Sequence, residues 1–320
     1  MRASRIQDPH APSRLVRAAA VLFALALALA LASCSSSRTP KRPKLETFTI
    51  DGARTELPDL GSGVQLFAPI GNIWLRSSKS AWLEKSYSVS AADLEAALLI
   101  VKHATTEMRQ VEGDLTLISM RPPEDCPFEA LTADSVLALP AKLDVDLRSV
   151  GGLIDARSYS ARNATLRTRD GNLIVGSVDG ELRFETETGS VEIAGEARVV
   201  RGRTRSGSIF VATIATGASF ELESKSADCS VVVPPLASLA VIHRSKTGSL
   251  RIDFDDAGVE RRFVPRADGW SERHAMFRGA PSIAQAALLV FESEEGDLIL
   301  TRPRPDGPRS EAPKSEPSQS

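Results

Sequence analysis

Gly180-Glu-Leu-Arg-Phe-Glu-Thr-Glu-Thr-Gly189-Ser-Val-Glu-Ile193 is the stretch of sequence that decides the fold. Apolar and polar residues alternate on both sides of Gly189, which is the period-2 pattern of β-strands. Val191 and Ile193 are therefore expected to face the interior, and Glu192 is expected to face solvent. Gly189 marks the turn between two strands, where a positive φ or a lack of room for a Cβ atom favours glycine.

The same unit recurs along the chain. The turn residues are spaced 19, 18, 18, 21 and 20 positions apart, and they are Gly152, Gly171, Gly189, Gly207, Asp228 and Gly248. Asp228 is the one exception to glycine, and Asp tolerates turn conformations better than most residues. A period of about 19 residues, with strand alternation inside each unit, predicts an all-β fold. The expected architecture is a single-stranded β-solenoid with one coil per repeat of about 18–21 residues.

Weaker copies of the unit extend the pattern beyond the clear repeats. One copy lies at 64–75, and two near-identical segments, 111–118 and 295–300, flank the clear repeats. The stretch that starts at Ser90 could instead begin a short helix, with Ser90 as its N-cap. His243 lies five residues before its turn glycine and is predicted to face inward on the ladder.

The N-terminus has the layout of an export signal. Basic residues precede an apolar run at 18–32, which is rich in Ala and Leu and too short for a stable spanning helix. The run closes on Leu31-Ala32-Ser33-Cys34, which resembles the bacterial lipobox. That resemblance implies cleavage before Cys34, a covalent lipid on its thiol and attachment to a membrane, and Ser35 favours the outer membrane. A plain cleaved signal followed by a chance cysteine is the alternative.

The flanks of the repeat region differ from it in composition. The segment after the lipobox is rich in Ser, Pro and Lys, as flexible linkers are. The C-terminal segment is polar and rich in Pro and is expected to be disordered. Four parts are predicted: a signal peptide at 1–33, a lipidated cysteine with its linker at 34–47, the β-solenoid at 48–302 with insertions near 121–142 and 255–282, and a tail at 303–320.

Composition and motifs argue against several classes of function. The net charge is −2, and no basic stripe interleaved with aromatic residues suggests a nucleic-acid partner. The sequence has no Ser-x-x-Lys, no Gly-x-Ser-x-Gly and no phosphate-binding loop. No pair of cysteines has the spacing of metal ligands. We therefore predict no catalytic residue, no metal site and no cofactor apart from the lipid on Cys34.

Two further cysteines, Cys126 and Cys229, follow Cys34. In the oxidising compartment that an export signal implies, they could form a disulfide. Their separation in sequence does not establish that they lie within bonding distance.

The run from Leu143 to Ala194 resembles the putative-adhesin family of bacterial envelope proteins with β-strand repeats, also called toastrack proteins. The resemblance is carried by Leu143-Asp-Val-Asp-Leu-Arg-Ser-Val, by the glycine turns at Gly171 and Gly189, and by Ala68-Pro-Ile-Gly-Asn-Ile-Trp-Leu-Arg. It implies a single-stranded β-solenoid in a family without an agreed biochemical activity. Asp228 and the insertion 255–282 depart from the family's pattern.

The sequence thus predicts a lipid-anchored protein of the bacterial cell envelope. Its solenoid is expected to act as a non-enzymatic binding or structural scaffold, adhesin-like or related to envelope stress, with a protein or polysaccharide partner. Two alternatives remain open. Outward acids such as Glu181, Glu185, Glu187 and Glu192 could line the groove of a polysaccharide lyase or hydrolase if they converge. Exposed solenoid ends could instead pair edge to edge in a filament.

Overall fold

The structure, a computed structural model, describes residues 45–58, 60–111, 115–123, 130–235, 237–254, 259–277 and 286–303. These ranges are all-β, as predicted, with twenty-four strands and one short helix. In chain order the elements are β1 (Glu46–Asp51), β2 (Thr55–Glu56), β3 (Gly63–Ile70), β4 (Ile73–Ser77), β5 (Trp82–Ala91), α1 (Leu94–His103), β6 (Thr105–Val111), β7 (Leu115–Arg121), β8 (Leu131–Leu139), β9 (Asp144–Gly151), β10 (Ile154–Ser158), β11 (Ala164–Asp170), β12 (Leu173–Val175), β13 (Val178–Thr186), β14 (Val191–Ile193), β15 (Ala197–Thr204), β16 (Ile209–Val211), β17 (Ser219–Ser224), β18 (Cys229–Val232), β19 (Leu239–Ser245), β20 (Leu250–Ile252), β21 (Glu260–Pro265), β22 (Ser271–Phe277), β23 (Ala287–Ser293) and β24 (Leu298–Thr301).

The strands form two sheets of twelve strands each. Sheet A has the order β1-β5-β8-β4-β10-β12-β14-β16-β18-β24-β20, with β2 beside β5, and sheet B has the order β21-β22-β19-β23-β17-β15-β13-β11-β9-β3-β7-β6. From β9 to β20 the chain passes from one sheet to the other at every turn. Neighbouring strands in this region are parallel and in register, so that Val145, Ala164, Leu182 and Val200 lie side by side.

The core lies between the inner faces of the two sheets. Val191 and Ile193 are buried in it and Glu192 points outward, as the alternation predicts. The largest fully buried side chains include Phe220, Phe277 and Phe291. Each fully buried apolar side chain of this size contributes roughly 1.5–3 kcal/mol, so the long double sheet is held together mainly by this strip of apolar contacts.

Two segments enter the sheets out of chain order. Strand β23 lies between β17 and β19, and β24 lies between β18 and β20. The segment 287–301 therefore separates two units that their sequence spacing predicts to be adjacent. The near-identical segments are also not equivalent, because Leu115 begins a strand of sheet B whereas Leu298 begins a strand of sheet A.

The predicted insertions contribute strands to the sheets. Strand β8, within 121–142, pairs with β4 and with β5 in sheet A. Strands β21 and β22, within 255–282, form an antiparallel hairpin beside β19, at one end of sheet B. At the opposite end β1, β5 and β6 also pair antiparallel with their neighbours. Antiparallel strands thus finish the stack of parallel units at its N-terminal end, and in sheet B at its C-terminal end.

The helix expected near Ser90 forms, but it begins later. Ser90 is paired with Thr47 in sheet A, so it is not available as a cap. Asp93 is the N-cap, and its carboxylate accepts a hydrogen bond of 2.8 Å from the backbone N–H of Ala96.

The turn glycines form a ladder along one corner of the double sheet. A Cβ atom on Gly189 would lie 1.6 Å from the carbonyl oxygen of Gly171, and one on Gly171 would lie 1.8 Å from that of Gly152. Among the repeat-turn glycines that the structure describes, only Gly71 and Gly152 have a positive φ. Lack of room for a side chain, rather than left-handed backbone, is therefore the common reason for glycine here.

The turn position assigned to Asp228 needs a correction of one residue. Ile209 is in register with Cys229, and a Cβ on Gly296 would point at the carbonyl oxygen of Ala227, so Ala227 occupies the glycine position. Asp228 lies one residue later, where its carboxylate accepts a hydrogen bond of 2.8 Å from the N–H of Asp297. The polar residues that follow the turn glycines thus tie one unit to the next, as Asn172 does to Ser190.

Candidate binding surface

A shallow groove of about 350 Å³ crosses the outer face of sheet B over β11, β13, β15 and β17. Strand alternation turns every second side chain outward, and the parallel register brings these side chains into rows. The charged residues that line the groove are Arg167, Arg183, Glu185, Arg201, Arg203, Glu221 and Glu223. We call this surface the charged face.

Ion pairs link neighbouring strands across the charged face. Glu181 accepts from Arg183 at 2.9 Å and from Arg201 at 3.2 Å, and Arg201 also lies 3.5 Å from Glu221. Arg203 and Glu185 form a further pair between adjacent strands. The hydrogen bond from Arg183 lowers the pKa of Glu181, and the charge of Arg201 adds to this effect. Exposed pairs of this kind stabilise the fold little, and they leave a hydrated surface that offers both signs of charge.

The acids considered for a catalytic groove do not all lie on one face. Glu185 lies on the outer face of sheet B, whereas Glu192 lies on the outer face of sheet A between Ile174 and Phe210. The carboxylates of Glu181 and Glu185 are held by arginines. A glycosidase acid needs instead an apolar setting that raises its pKa.

The outer face of sheet A carries a second feature that the repeat pattern did not reveal. One row of neighbouring outward positions contains Val136, Trp74, Asp155, Ile174, Glu192, Phe210, Ser230 and Ile299. Most of these side chains are half-buried, and Phe210 is exposed. The sequence signal is the uninterrupted apolar run in the short strands, such as Leu173-Ile174-Val175, where strict alternation would place a polar residue in the middle.

His243 is a core residue and takes no part in the charged face. It lies at the inward position in register with Phe291, and the two rings stack with their centroids 5.5 Å apart. Its Nε2 lies 3.2 Å from the carbonyl oxygen of Gly296. Burial lowers the pKa of His243 to about 4, and the nearby charge of Arg273 acts in the same direction.

The predicted lipidation and disulfide sites fall largely outside the described ranges. Cys34, its lipobox residues Leu31, Ala32 and Ser33, and Cys126 all lie outside them. Cys229 is a free thiol among the described residues and lies buried in the core, where desolvation strongly raises its pKa. Lipidation of Cys34 and pairing of Cys126 with Cys229 therefore remain predictions.

The described ranges contain neither a candidate metal site nor a candidate membrane-spanning helix. No cluster of three or more His, Cys, Asp or Glu side chains there could hold a metal ion. No helix in the part of the chain that the structure covers is long and apolar enough to cross a bilayer.

Comparison with known proteins finds neighbours among solved structures. No family model matches the chain, and no curated protein sequence does. A putative adhesin from Bacteroides fragilis is 12% identical, with 81% of this chain and 98% of that chain covered and a TM-score of 0.42. A putative cell adhesion protein from Clostridium sporogenes is 8% identical, with 81% and 100% covered and a TM-score of 0.34. A putative lipid binding protein from Parabacteroides distasonis is 10% identical, with 82% and 98% covered and a TM-score of 0.25. The neighbours include putative adhesins, the kind of protein that the sequence resembles.

Proposed function

We propose that this chain is a protein of the bacterial cell envelope, anchored by a lipid on Cys34, whose two sheets form a single-stranded β-solenoid that serves as a non-enzymatic binding scaffold. An outer-membrane location follows from the same signal, through the residue after the cysteine. The charged face is the observation that best supports a binding function.

The solenoid interpretation is supported by the path of the chain between the sheets. From β9 to β18 successive strands alternate between sheets A and B, and from β9 to β16 each strand pairs in parallel with the equivalent strand of the next unit. One coil then comprises one strand from each sheet and a glycine corner, which matches a repeat of about 18–21 residues. Such a stack presents long, regular outer faces to a partner.

Binding is better supported than catalysis because of the way the charges are arranged. The carboxylates of Glu181, Glu185 and Glu221 are paired with arginines across strands. A groove of this kind suits a partner with alternating charges or many hydroxyl groups, such as an envelope protein or a polysaccharide, held by many exposed contacts.

The filament alternative has less support. The hairpin on the edge of sheet B carries exposed charges at Glu260, Arg261 and Arg262. Charged side chains on an edge strand oppose pairing with another sheet.

Replacing Cys34 with Ala is expected to release the protein from the membrane, because no lipid could then be attached. Wild type should enter the detergent phase on phase separation, and its intact mass should include the acyl chains. The Cys34→Ala protein should stay in the aqueous phase, while a Cys126→Ser control behaves as wild type. Equal partitioning of the wild-type and Cys34→Ala proteins would refute the anchor.

The charged face should be the contact surface for an envelope partner. Cross-linking in intact cells is expected to recover about tenfold less partner with Arg201→Glu/Arg203→Glu than with wild type, because both charges change sign. Arg76→Glu, on the exposed side of sheet A, is the matched control and should recover as much as wild type. Recovery that is the same for all three proteins, or no envelope partner with any of them, counts against the scaffold.

A further inference from the structure

We propose that α1 lies in the surface of the membrane that carries the anchor, with Leu94, Leu98 and Leu99 among the lipid headgroups and the first part of the acyl chains. The inference rests on the proposed function, because the lipid on Cys34 is what holds the domain at a membrane. The occupant of the helix's outer surface would thus be the bilayer, rather than a protein.

The inner surface of α1 packs against strands of sheet A. Ala97 is buried, and Ile100 and Val101 pack in a small apolar cluster with Phe48 and Ile50 of β1. These contacts fix the helix against sheet A, and they fix which side chains point away from the domain.

The outer surface of α1 is unusually apolar for a helix exposed to water. Leu94, Leu98 and Leu99 are 52%, 49% and 55% exposed, although surface helices normally place polar residues there. The exposed positions otherwise hold Glu95, Lys102 and His103. Helices with leucines and basic residues on their outer surface commonly lie in the membrane interface.

The basic residues lie where an interfacial helix needs them. Lys102 is one turn beyond Leu98 on the same ridge, since residues four apart are neighbours on a helix. Its long apolar stem can run along the leucines while the ammonium reaches the headgroup phosphates. Glu95 is the only acid on this outer surface of α1.

The chain that leads from Cys34 enters the domain beside α1, which supports a lipid bilayer as the partner of the helix. Helix α1 packs against β1, the first strand of the described chain, so the segment from the anchor enters the domain beside the helix. Ten residues, 35–44, separate Cys34 from Leu45. Fully extended, the eleven Cα–Cα steps from Cys34 to Leu45 span at most about 40 Å. The anchor therefore keeps this end of the domain close to the bilayer, and Leu45 itself is exposed.

A fluorescent probe on the helix tests the proposal in the full lipidated chain. The probe is a nitrobenzoxadiazole group on Leu98→Cys in a Cys126→Ser background, where Cys34 carries lipid and Cys229 is buried. Leu98 is exposed, so the label should not disturb the core. The matched control is the same probe on Leu288→Cys, an exposed leucine on the outer face of sheet B.

Both labelled proteins are bound to vesicles of phosphatidylethanolamine and phosphatidylglycerol, with and without brominated acyl chains. We expect the probe at position 98 to shift to shorter wavelength and to lose about half of its emission with brominated lipid. The probe at position 288 should be unaffected.

Flotation with the vesicles reports the anchor separately from the helix. A chain that floats but shows no quenching at position 98 overturns the proposal and leaves the proposed function intact. Quenching that is equal at 98 and 288 also overturns it, because contact would not be specific to the helix. A chain that does not float and carries no lipid on Cys34 overturns both.

Discussion

Gly189→Ala is expected to lower the free energy of unfolding by about 3 kcal/mol or more, or to prevent folding altogether. The new Cβ atom would lie 1.6 Å from the carbonyl oxygen of Gly171, far inside van der Waals contact. Neither backbone segment can move away easily, because Val191 is in register with Leu173 on one side and with Ile209 on the other. Chemical denaturation of the domain, followed by circular dichroism, measures the loss.

Gly151→Ala is the matched control for the corner ladder. No atom lies within 4 Å of a Cβ atom built on Gly151, although this glycine directly precedes the ladder residue Gly152. Its substitution is expected to change stability by no more than about 0.5 kcal/mol. If both variants lose the same stability, close contact at the corner is not what selects glycine in the repeats.

His243 is expected to make the domain less stable as the pH falls from about 6.5 to about 4. In the folded protein burial holds the pKa of His243 at about 4, against 6.5 for an ordinary histidine. Between these two pH values His243 is protonated in the unfolded chain but neutral in the folded chain. Lowering the pH through this range therefore favours unfolding. The difference corresponds to a loss of about 3 kcal/mol, which is complete below pH 4. Denaturation midpoints between pH 7.5 and 4 measure it.

His243→Phe provides the control for this pH dependence. Phe291 occupies the same inward position in the neighbouring unit and stacks on the His243 ring, so an aromatic hydrocarbon fits this row. His103 and His274 are present in both proteins. The variant should lose about 3 kcal/mol less than wild type over the same pH range. Identical pH profiles for the two proteins would show that His243 is not the group responsible.

Local features of the chain could be predicted because neighbouring residues decide them. Alternation placed Val191 and Ile193 inside, and the spacing of His243 from its glycine indicated its inward position. The helix was recognisable as well, although its cap is Asp93 rather than Ser90, because Ser90 has a strand partner far away in sequence. The charged face follows partly from the outward acids, but its ion pairs depend on which strands are neighbours.

The corner position predicted at Asp228 is occupied by Ala227, which shows that strand register cannot be predicted from residue spacing alone. By spacing alone, Asp228 fits the turn as well as its neighbour does. Only the pairing of Cys229 with Ile209 fixes which residue occupies the corner. A displacement of one residue would turn Cys229 out of the core, because successive side chains in a strand point to opposite faces.

The sequence by itself determined the β-strand class, the length of the repeating unit, the inward and outward faces and the need for glycine at the corner. These are short-range properties, set by alternation of polarity and by the space available around one backbone atom. The tertiary structure alone decided the order of the strands, including the entry of β23 and β24 between earlier units. Backbone hydrogen bonds between strands are nearly independent of side-chain identity, so any unit of suitable length and polarity can pair with any other. Which units become neighbours depends on the packing of the whole core. The order of the strands in turn fixes where the charged face and the exposed leucines of α1 lie.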